Sequence, residues 1–116
     1  MLSLPSAVRI FLCTEPTDMR RGFDRLAEMV RSIIGQDPLS GHLFVFCSRN
    51  RDRLKLLYWD RDGLALWYKR LEKGRFAPPA KWAQDFRIDP RELAMMLEGL
   101  QEASIHRRIR FDLQRP

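Results

Sequence analysis

The sequence predicts a small α+β domain, in which a mainly antiparallel β-meander of three to four strands is packed by an N-terminal amphipathic helix and a C-terminal helix. Its 116 residues fit a single domain. Three short apolar runs separated by turn residues lie between residues 42 and 70, and a stretch with helical spacing lies on each side of them. We expect residues 1–103 to form the domain. Residues 104–116 form a basic C-terminal tail, for which a strand and a mobile segment both remain open.

The N-terminal part of the chain predicts a strand followed by a helix. Residues 8–13 alternate and contain β-branched and aromatic side chains, as short strands do. Thr17 or Asp18 is then placed to cap a helix that ends at Gly35. Gly22 in its first turns indicates a close packing contact, because glycine costs a helix about 1 kcal/mol relative to alanine. The predicted apolar stripe is Met19, Phe23, Leu26, Val30 and Ile33.

Residues 42–47, 53–59 and 64–70 are predicted as strands. The segment from Asp60 to Gly63 predicts a tight hairpin, because Asp-Gly supplies the positive φ angles that such turns require. With a two- or four-residue loop, both faces of the hairpin are apolar near the turn and basic away from it. Such a sheet must be covered on both faces by helices, a partner or stacked bases. One face holds Lys55, Leu57, Trp59, Leu64, Leu66 and Tyr68, and the other holds Leu54, Leu56, Tyr58, Ala65, Trp67 and Lys69.

The second helix is predicted to begin after Asp89, which is a good N-cap, with Pro90 as its first helical residue. It runs to about Glu102. An extended Ala-Pro-Pro-Ala connector at residues 77–80 precedes it. Its apolar positions are Leu93, Met96, Leu97 and Leu100.

Positive charge is concentrated in the middle of the chain. The net charge is +6, and residues 49–75 alone carry nine basic and four acidic side chains. Basic groups bind phosphate, and the aromatic side chains among them serve for base stacking or core packing. This mixture predicts contact with nucleic acid. The candidate contacts are Arg49, Arg51, Arg53, Lys55, Lys69, Arg70, Lys73 and Arg75, with Arg20 and Arg21 as a second tier.

The aromatic side chains of the same stretch have two possible roles. On hairpin strands they most often form core and cross-strand pairs, and we assign that role to at least half of them. Those left on an open face would contact a protein partner. Tyr58 and Trp67 are the candidate partner-binding residues.

The sequence shows no motif for catalysis. Asp52, Asp60 and Asp62 lie at turns beside basic residues, so a two-metal nuclease is one alternative. Aspartate in turns is better explained by its own hydrogen bonds to the backbone. Neither His42 nor His106 has a metal-ligand partner at suitable spacing. We therefore predict a protein that is not an enzyme and that holds no cofactor or metal.

Two further features concern the cellular compartment. Cys13 and Cys47 each end an apolar segment and are predicted to be reduced core residues, although a disulfide or a shared metal stays open if the two segments are adjacent. No apolar run reaches the roughly 18 residues that cross a bilayer, and the N-terminus lacks the early basic segment of a signal peptide. We expect a cytoplasmic protein.

Several sequence blocks, taken in order, closely resemble one family. They are Met-Arg-Arg-Gly-Phe-Asp from residue 19, Gly-His-Leu-Phe-Val-Phe from residue 41, Arg-Asn-Arg from residue 49, Lys-Leu-Leu-Tyr-Trp-Asp from residue 55 and Leu-Trp-Tyr-Lys-Arg-Leu-Glu from residue 66. The family is the TnpB-type accessory protein of bacterial insertion sequences of the group numbered sixty-six. The resemblance runs from about Val8 to Phe76. After Phe76 the chain departs from the family's Trp-Pro pair, although residues 92–100 are similar to the family's closing helix.

The resemblance implies a non-catalytic role in DNA transposition beside a separate, larger transposase. We expect an accessory protein that binds DNA at the element ends and assists that transposase. The alternative is an adaptor that contacts the transposase and has little DNA contact of its own. The expected partners are DNA, the transposase and other proteins of the element, with no membrane. An oligomer is possible.

Overall fold

The computed structural model describes residues 7–77 and 86–98. One five-stranded sheet carries two helices, the first of which continues into a π-helical segment, so the α+β prediction is confirmed in outline. The elements in chain order are β1 (Ile10–Leu12), α1 (Phe23–Met29), the π-helical segment (Val30–Ile34), β2 (Leu43–Cys47), β3 (Arg53–Asp60), β4 (Gly63–Arg70), β5 (Arg87–Ile88) and α2 (Pro90–Leu97). The strand order across the sheet is β4-β3-β2-β1-β5.

The sheet is mixed, whereas the sequence predicts mainly a meander. β2, β3 and β4 form the predicted antiparallel meander. β1 pairs with β2 in parallel, with Ile10 beside Leu43, because α1 carries the chain across before it enters β2. β5 pairs antiparallel with β1 and is absent from the sequence prediction. Two residues are too few to show a period.

The β3-β4 hairpin has the predicted register with a different turn geometry. Asp60 pairs with Gly63, so the loop has two residues and the two predicted faces are confirmed. The positive φ angle, however, belongs to Arg61 at 54°, and Gly63 has none. The reason is positional: Arg61 lies within the two-residue loop, whereas Gly63 is already the first residue of β4.

Each face of the sheet is covered by a helix, as two apolar faces require. On the face that we call the α2 face, Leu12, Val45 and Leu56 pack with Leu93 and Met96 of α2. On the opposite face, the α1 face, the packed residues are Phe11, Phe44, Leu57, Leu26 and Val30. In the described part of the chain, one helix thus packs on each apolar face of the sheet.

Helix α1 begins later than predicted. Its N-cap is Gly22, which makes no side-chain capping bond, and neither Thr17 nor Asp18 caps it. Instead the Asp18 carboxylate accepts the Arg20 backbone N–H at 2.9 Å, and the Thr17 N–H donates to the Cys47 carbonyl at 2.9 Å. The Asp18 bond closes a local turn, and the Thr17 bond holds the loop of residues 17–22 against β2, ahead of the helix.

Two expectations about α1 are wrong, and one is confirmed. Phe23 is 47 % exposed, so it does not belong to the buried stripe, and Met19 is buried ahead of the helix. A side chain at Gly22 would meet open space, so no close contact explains this glycine. The helical segment does end at Gly35, whose φ is 76° and whose N–H donates to the Val30 carbonyl at 2.8 Å.

Helix α2 begins as predicted. The Asp89 carboxylate accepts the Glu92 N–H at 2.7 Å, while the Glu92 carboxylate accepts the Asp89 N–H at 3.1 Å. This reciprocal capping box, with Pro90 as the first helical residue, fixes the start of the helix. The predictions for residues 78–80, 100–102 and 104–116, including Leu100, Glu102 and His106, lie outside the described residues.

Candidate nucleic-acid interface

Two loops at one end of the β3-β4 hairpin, together with the adjoining strand ends, hold seven of the ten candidate basic residues. Residues 48–52 join β2 to β3, and residues 71–76 follow β4. The loops are joined by backbone hydrogen bonds, from the Leu71 N–H to the Asp52 carbonyl at 2.8 Å and from the Phe76 N–H to the Arg51 carbonyl at 2.6 Å. Phe76 is buried and anchors the second loop in the α2-face core. We call Arg49, Arg51, Arg53, Lys69, Arg70, Lys73 and Arg75 the basic margin.

An open cleft of about 280 Å³ lies against the first of these loops. Within residues 7–77 and 86–98, the guanidinium groups of Arg49 and Arg53 in this cleft have no hydrogen-bond or ion-pair partner. The Ser48 hydroxyl donates to the Asp52 carboxylate at 3.2 Å, so that carboxylate already accepts one bond. The cleft is lined by Met19, Ser48, Arg49, Asn50, Asp52 and Arg53.

Four of the six lining residues are missing from the predicted nucleic-acid contacts, and Asp52 among them is a candidate only for the nuclease alternative. Ser48 and Asn50 are small polar residues among the arginines of a turn, and this pattern in the sequence could have predicted them as further phosphate contacts. No sequence signal pointed to Met19, which reaches the cleft only because residues 17–22 fold back against β2. The set of residues that line the cleft therefore depends on the contact of this loop with β2, which is distant in sequence.

The loop between β2 and β3 has an unusual backbone. Arg51 has a φ of 60°, in the left-handed region that non-glycine residues visit at a cost of roughly 1–2 kcal/mol. Its N–H donates to the Ser48 carbonyl at 3.0 Å and its carbonyl accepts the Phe76 N–H, so both backbone groups are fixed. The loop that carries Arg49 and leads into Arg53 is therefore fixed by backbone hydrogen bonds on both sides.

Two arginines face each other across the hairpin at the same end. Arg53 of β3 and Arg70 of β4 are register partners, and their side chains lie on the α1 face. Like charges directly opposite each other destabilise a strand pair. Glu72 relieves part of this repulsion through a 3.1 Å ion pair with Arg70. The arrangement concentrates positive charge beside the cleft.

Lys55 is the sequence candidate whose position argues against phosphate contact. Its side chain is buried at 6 % exposure, and its Nζ donates to the carbonyls of Met19 at 2.7 Å and Arg21 at 2.8 Å. The same Nζ lies 4.8 Å from the centre of the Tyr68 ring. These partners occupy the amine, so we leave Lys55 out of the proposed contacts. It fastens the loop before α1 to the sheet.

The second-tier candidates sit on the loop that Lys55 fastens. Arg20 has a side chain that is 91 % exposed, and it forms a 2.7 Å ion pair with Asp18. That bond to Arg20 holds the pKa of the Asp18 carboxyl well below its usual range. Arg21 points the other way, with its Nη1 at 3.0 Å from the sulfur of Met29. Arg20 is thus the more accessible of the two.

Lys69 and the two candidate partner-binding residues lie on the opposite face. Lys69 pairs with Leu54 and Trp67 pairs with Leu56, so both side chains share the α2 face with Tyr58. Tyr58 and Trp67 are half-buried and pack against the α2-face core. Tyr68, on the α1 face, is the more exposed aromatic residue at 49 %.

The two cysteines are separated by the sheet. Cys13 packs in the α1-face core and Cys47 in the α2-face core, and neither forms a disulfide. Burial raises the pKa of Cys13, and it raises the pKa of Cys47 to about 11. Both thiols are therefore protonated at neutral pH, which makes them poor nucleophiles and poor metal ligands.

The remaining polar candidates are also accounted for. His42 Nδ1 accepts the Arg9 N–H at 3.0 Å, and burial, followed by the charges of Arg9 and Arg87, lowers the pKa of this histidine. Asp60 and Asp62 are exposed at the hairpin turn. In the described ranges no three His, Cys, Asp or Glu side chains are grouped so as to hold a metal ion. The helices of those ranges also lack the length and apolar character that a membrane crossing requires.

Comparison with known proteins identifies the family. The family model described as IS66 Orf2 like protein matches residues 8–107, and so extends well beyond Phe76. Two similar proteins from Sinorhizobium fredii (strain NBRC 101917 / NGR234) are both described as uncharacterized. The protein y4jC is 34 % identical over 93 % of this chain and 92 % of its own length. The protein y4hO is 40 % identical over 84 % of this chain and 86 % of its own length. No solved structure matches. The chain belongs to the IS66 Orf2-like family, the transposition-associated accessory proteins of these insertion sequences.

Proposed function

We propose that this protein binds the DNA of its insertion sequence non-catalytically and assists the transposase there. The observation that carries the proposal is the cleft, in which the guanidinium groups of Arg49 and Arg53 have no hydrogen-bond or ion-pair partner among the described residues. Arg53 also lies opposite Arg70 in the β3-β4 ladder, which adds positive charge beside the cleft. A phosphate group complements these two cations, because an arginine fork donates two parallel hydrogen bonds to two phosphate oxygens. Family membership supports a place in transposition, and the cleft supports DNA as the ligand.

The basic margin extends the proposed contact beyond the cleft. Arg51, Arg70, Lys73 and Arg75 lie on the two joined loops or at the adjoining strand end, and all are exposed. Arg20 adds a charge from the loop before α1. A backbone that follows this surface would meet about five cations. All of these are phosphate contacts, so they position DNA and read no base sequence.

Counterion release gives the first test of this proposal. With about five phosphates engaged, log affinity for element-end DNA should fall linearly with log salt concentration at a slope of roughly −4 to −5. Fluorescence anisotropy with labelled duplexes over a series of salt concentrations measures this slope. A duplex of equal length from outside the element is the control for sequence preference. Undetectable binding, or binding that salt leaves unchanged, would overturn the proposal.

A second candidate function is an adaptor that contacts the transposase. The observation in its favour is the pair of large, exposed apolar side chains on the α1 side, Phe23 at 47 % and Tyr68 at 49 %, together with half-buried Tyr58 and Trp67 on the other face. Exposed aromatic side chains are frequent anchors of protein interfaces.

The adaptor is tested by co-purification with the transposase of the same element. If protein contact dominates, Tyr68→Ala should weaken complex formation about tenfold or more, as loss of an aromatic anchor does. The double variant Arg49→Gln/Arg53→Gln should leave the complex intact. A transposase that fails to co-purify with the wild-type chain in DNA-free buffer would rule the adaptor out.

A further inference from the structure

The outer edge of β4 is the longest open strand edge of the described sheet. β4 has eight residues, and every one of them is half-exposed or exposed, whereas β2 is buried throughout. The opposite edge is β5, with only two residues. Monomeric proteins protect sheet edges with charges, proline or short strands. β4 has charged residues only at its last two positions, Lys69 and Arg70, so residues 63–68 form an uncharged edge.

The hairpin register shows which backbone groups this edge presents. A two-residue loop closes on a hydrogen-bonded pair, here Asp60 and Gly63, and hydrogen-bonded pairs then alternate along the ladder. The N–H and C=O groups of Gly63, Ala65, Trp67 and Lys69 therefore point to β3. Those of Leu64, Leu66, Tyr68 and Arg70 point away from β3, and no further strand of the described sheet pairs with them.

We propose that a second copy of this chain pairs antiparallel with β4, so that two five-stranded sheets join into one across a two-fold axis at Leu66. The ladder allows this register because Leu66 is one of the residues whose groups point outward. Leu64 of one copy then faces Tyr68 of the other, and Ala65 faces Trp67, so a small or medium side chain meets a large one at each place. Self-complementarity of this kind is what a two-fold interface requires.

Charge complementarity favours a second copy of this chain over an unrelated strand. Under the two-fold axis, the acidic turn of one copy meets the basic end of β4 of the other, with Asp62 opposite Arg70. The pair occurs twice in the dimer. Among the described residues, the Arg70 guanidinium is paired only with the exposed Glu72, and such exposed pairs contribute little, so Arg70 is available for exchange. The two basic clefts would lie at opposite ends of the joined strands.

The decisive experiment measures mass in DNA-free buffer, so it is independent of the proposed function. Sedimentation of the full chain should show a dimer with a dissociation constant in the micromolar range. Asp62→Arg alone and Arg70→Asp alone should each weaken the dimer about tenfold, because each places like charges opposite each other twice. The double variant Asp62→Arg/Arg70→Asp should restore it, since the pair is rebuilt with the signs exchanged.

Hydrogen exchange on the wild-type chain keeps the test valid if a variant fails to fold. Amides of Leu64, Leu66 and Tyr68 should become protected as protein concentration rises, while those of Ala65 and Trp67 stay protected at every concentration. A chain that is monomeric at about 100 µM would overturn the proposal. So would a dimer that neither single reversal weakens, or outward amides whose protection does not change with concentration.

Discussion

Replacing Arg49 and Arg53 with glutamine should reduce the affinity for element-end DNA about 100-fold near physiological salt and should flatten the salt slope by roughly two. The reason is that two guanidinium groups of the cleft, which have no ion-pair partner within the described residues, would no longer release counterions. Glutamine keeps hydrogen-bonding capacity and most of the side-chain length. Anisotropy titrations at several salt concentrations measure both quantities together.

The matched control removes the same charge elsewhere. Arg31→Gln/Arg91→Gln also lowers the net charge by two, but Arg31 lies on the π-helical segment and Arg91 on α2, and neither lines the cleft. We expect this control to lose affinity only severalfold, through the general field of the protein. Equal losses in the two double variants would mean that the cleft is not a local contact and that only net charge matters.

Replacing Lys55 with methionine should lower the free energy of unfolding by about 2–4 kcal/mol. Methionine fills a similar volume but cannot donate, so the carbonyls of Met19 and Arg21 would lose the Nζ that binds them at 2.7 and 2.8 Å. Leaving such groups unpaired costs more than the net gain of an average hydrogen bond, because they have already lost water. Urea denaturation followed by circular dichroism measures the change.

Lys69→Met is the control for Lys55→Met, since Lys69 lies on the paired strand and is exposed. This surface change should stay within about 0.5 kcal/mol of the wild type. Hydrogen exchange adds a local readout. Relative to the wild type, Lys55→Met should increase the exchange rate of amides in the loop before α1 more than that of amides in β3. If the two variants have equal stability, then the buried amine does not hold this loop.

Local sequence signals were sufficient wherever neighbouring residues determine the conformation. The Asp89–Glu92 capping box fixes the start of α2, and Gly35 ends the first helical segment, because each acts within one turn of chain. The alternating pattern of residues 53–70 determined both faces of the hairpin, since side-chain direction has a period of two. The blocks that resemble the family also lie within these elements, and the family is confirmed.

Long-range contacts decided what the local signals could not. Lys55 has the same sequence context as a phosphate-binding lysine, yet its amine is taken up by carbonyls 34 and 36 residues away. Helix α1 starts at Phe23 because the preceding loop bonds to β2 and β3, which no nearby residue predicts. The parallel pairing of β1 with β2 likewise depends on where α1 returns the chain.

By itself, the sequence determined the family, the central hairpin and the place where positive charge is concentrated, because all three depend on residue identity and short spacing. Only the tertiary structure decided which cations remain accessible, with Arg49 and Arg53 in an open cleft and Lys55 inside the domain. The physical reason is that a buried polar group needs a partner, and the partner that Lys55 finds is supplied by the folded backbone.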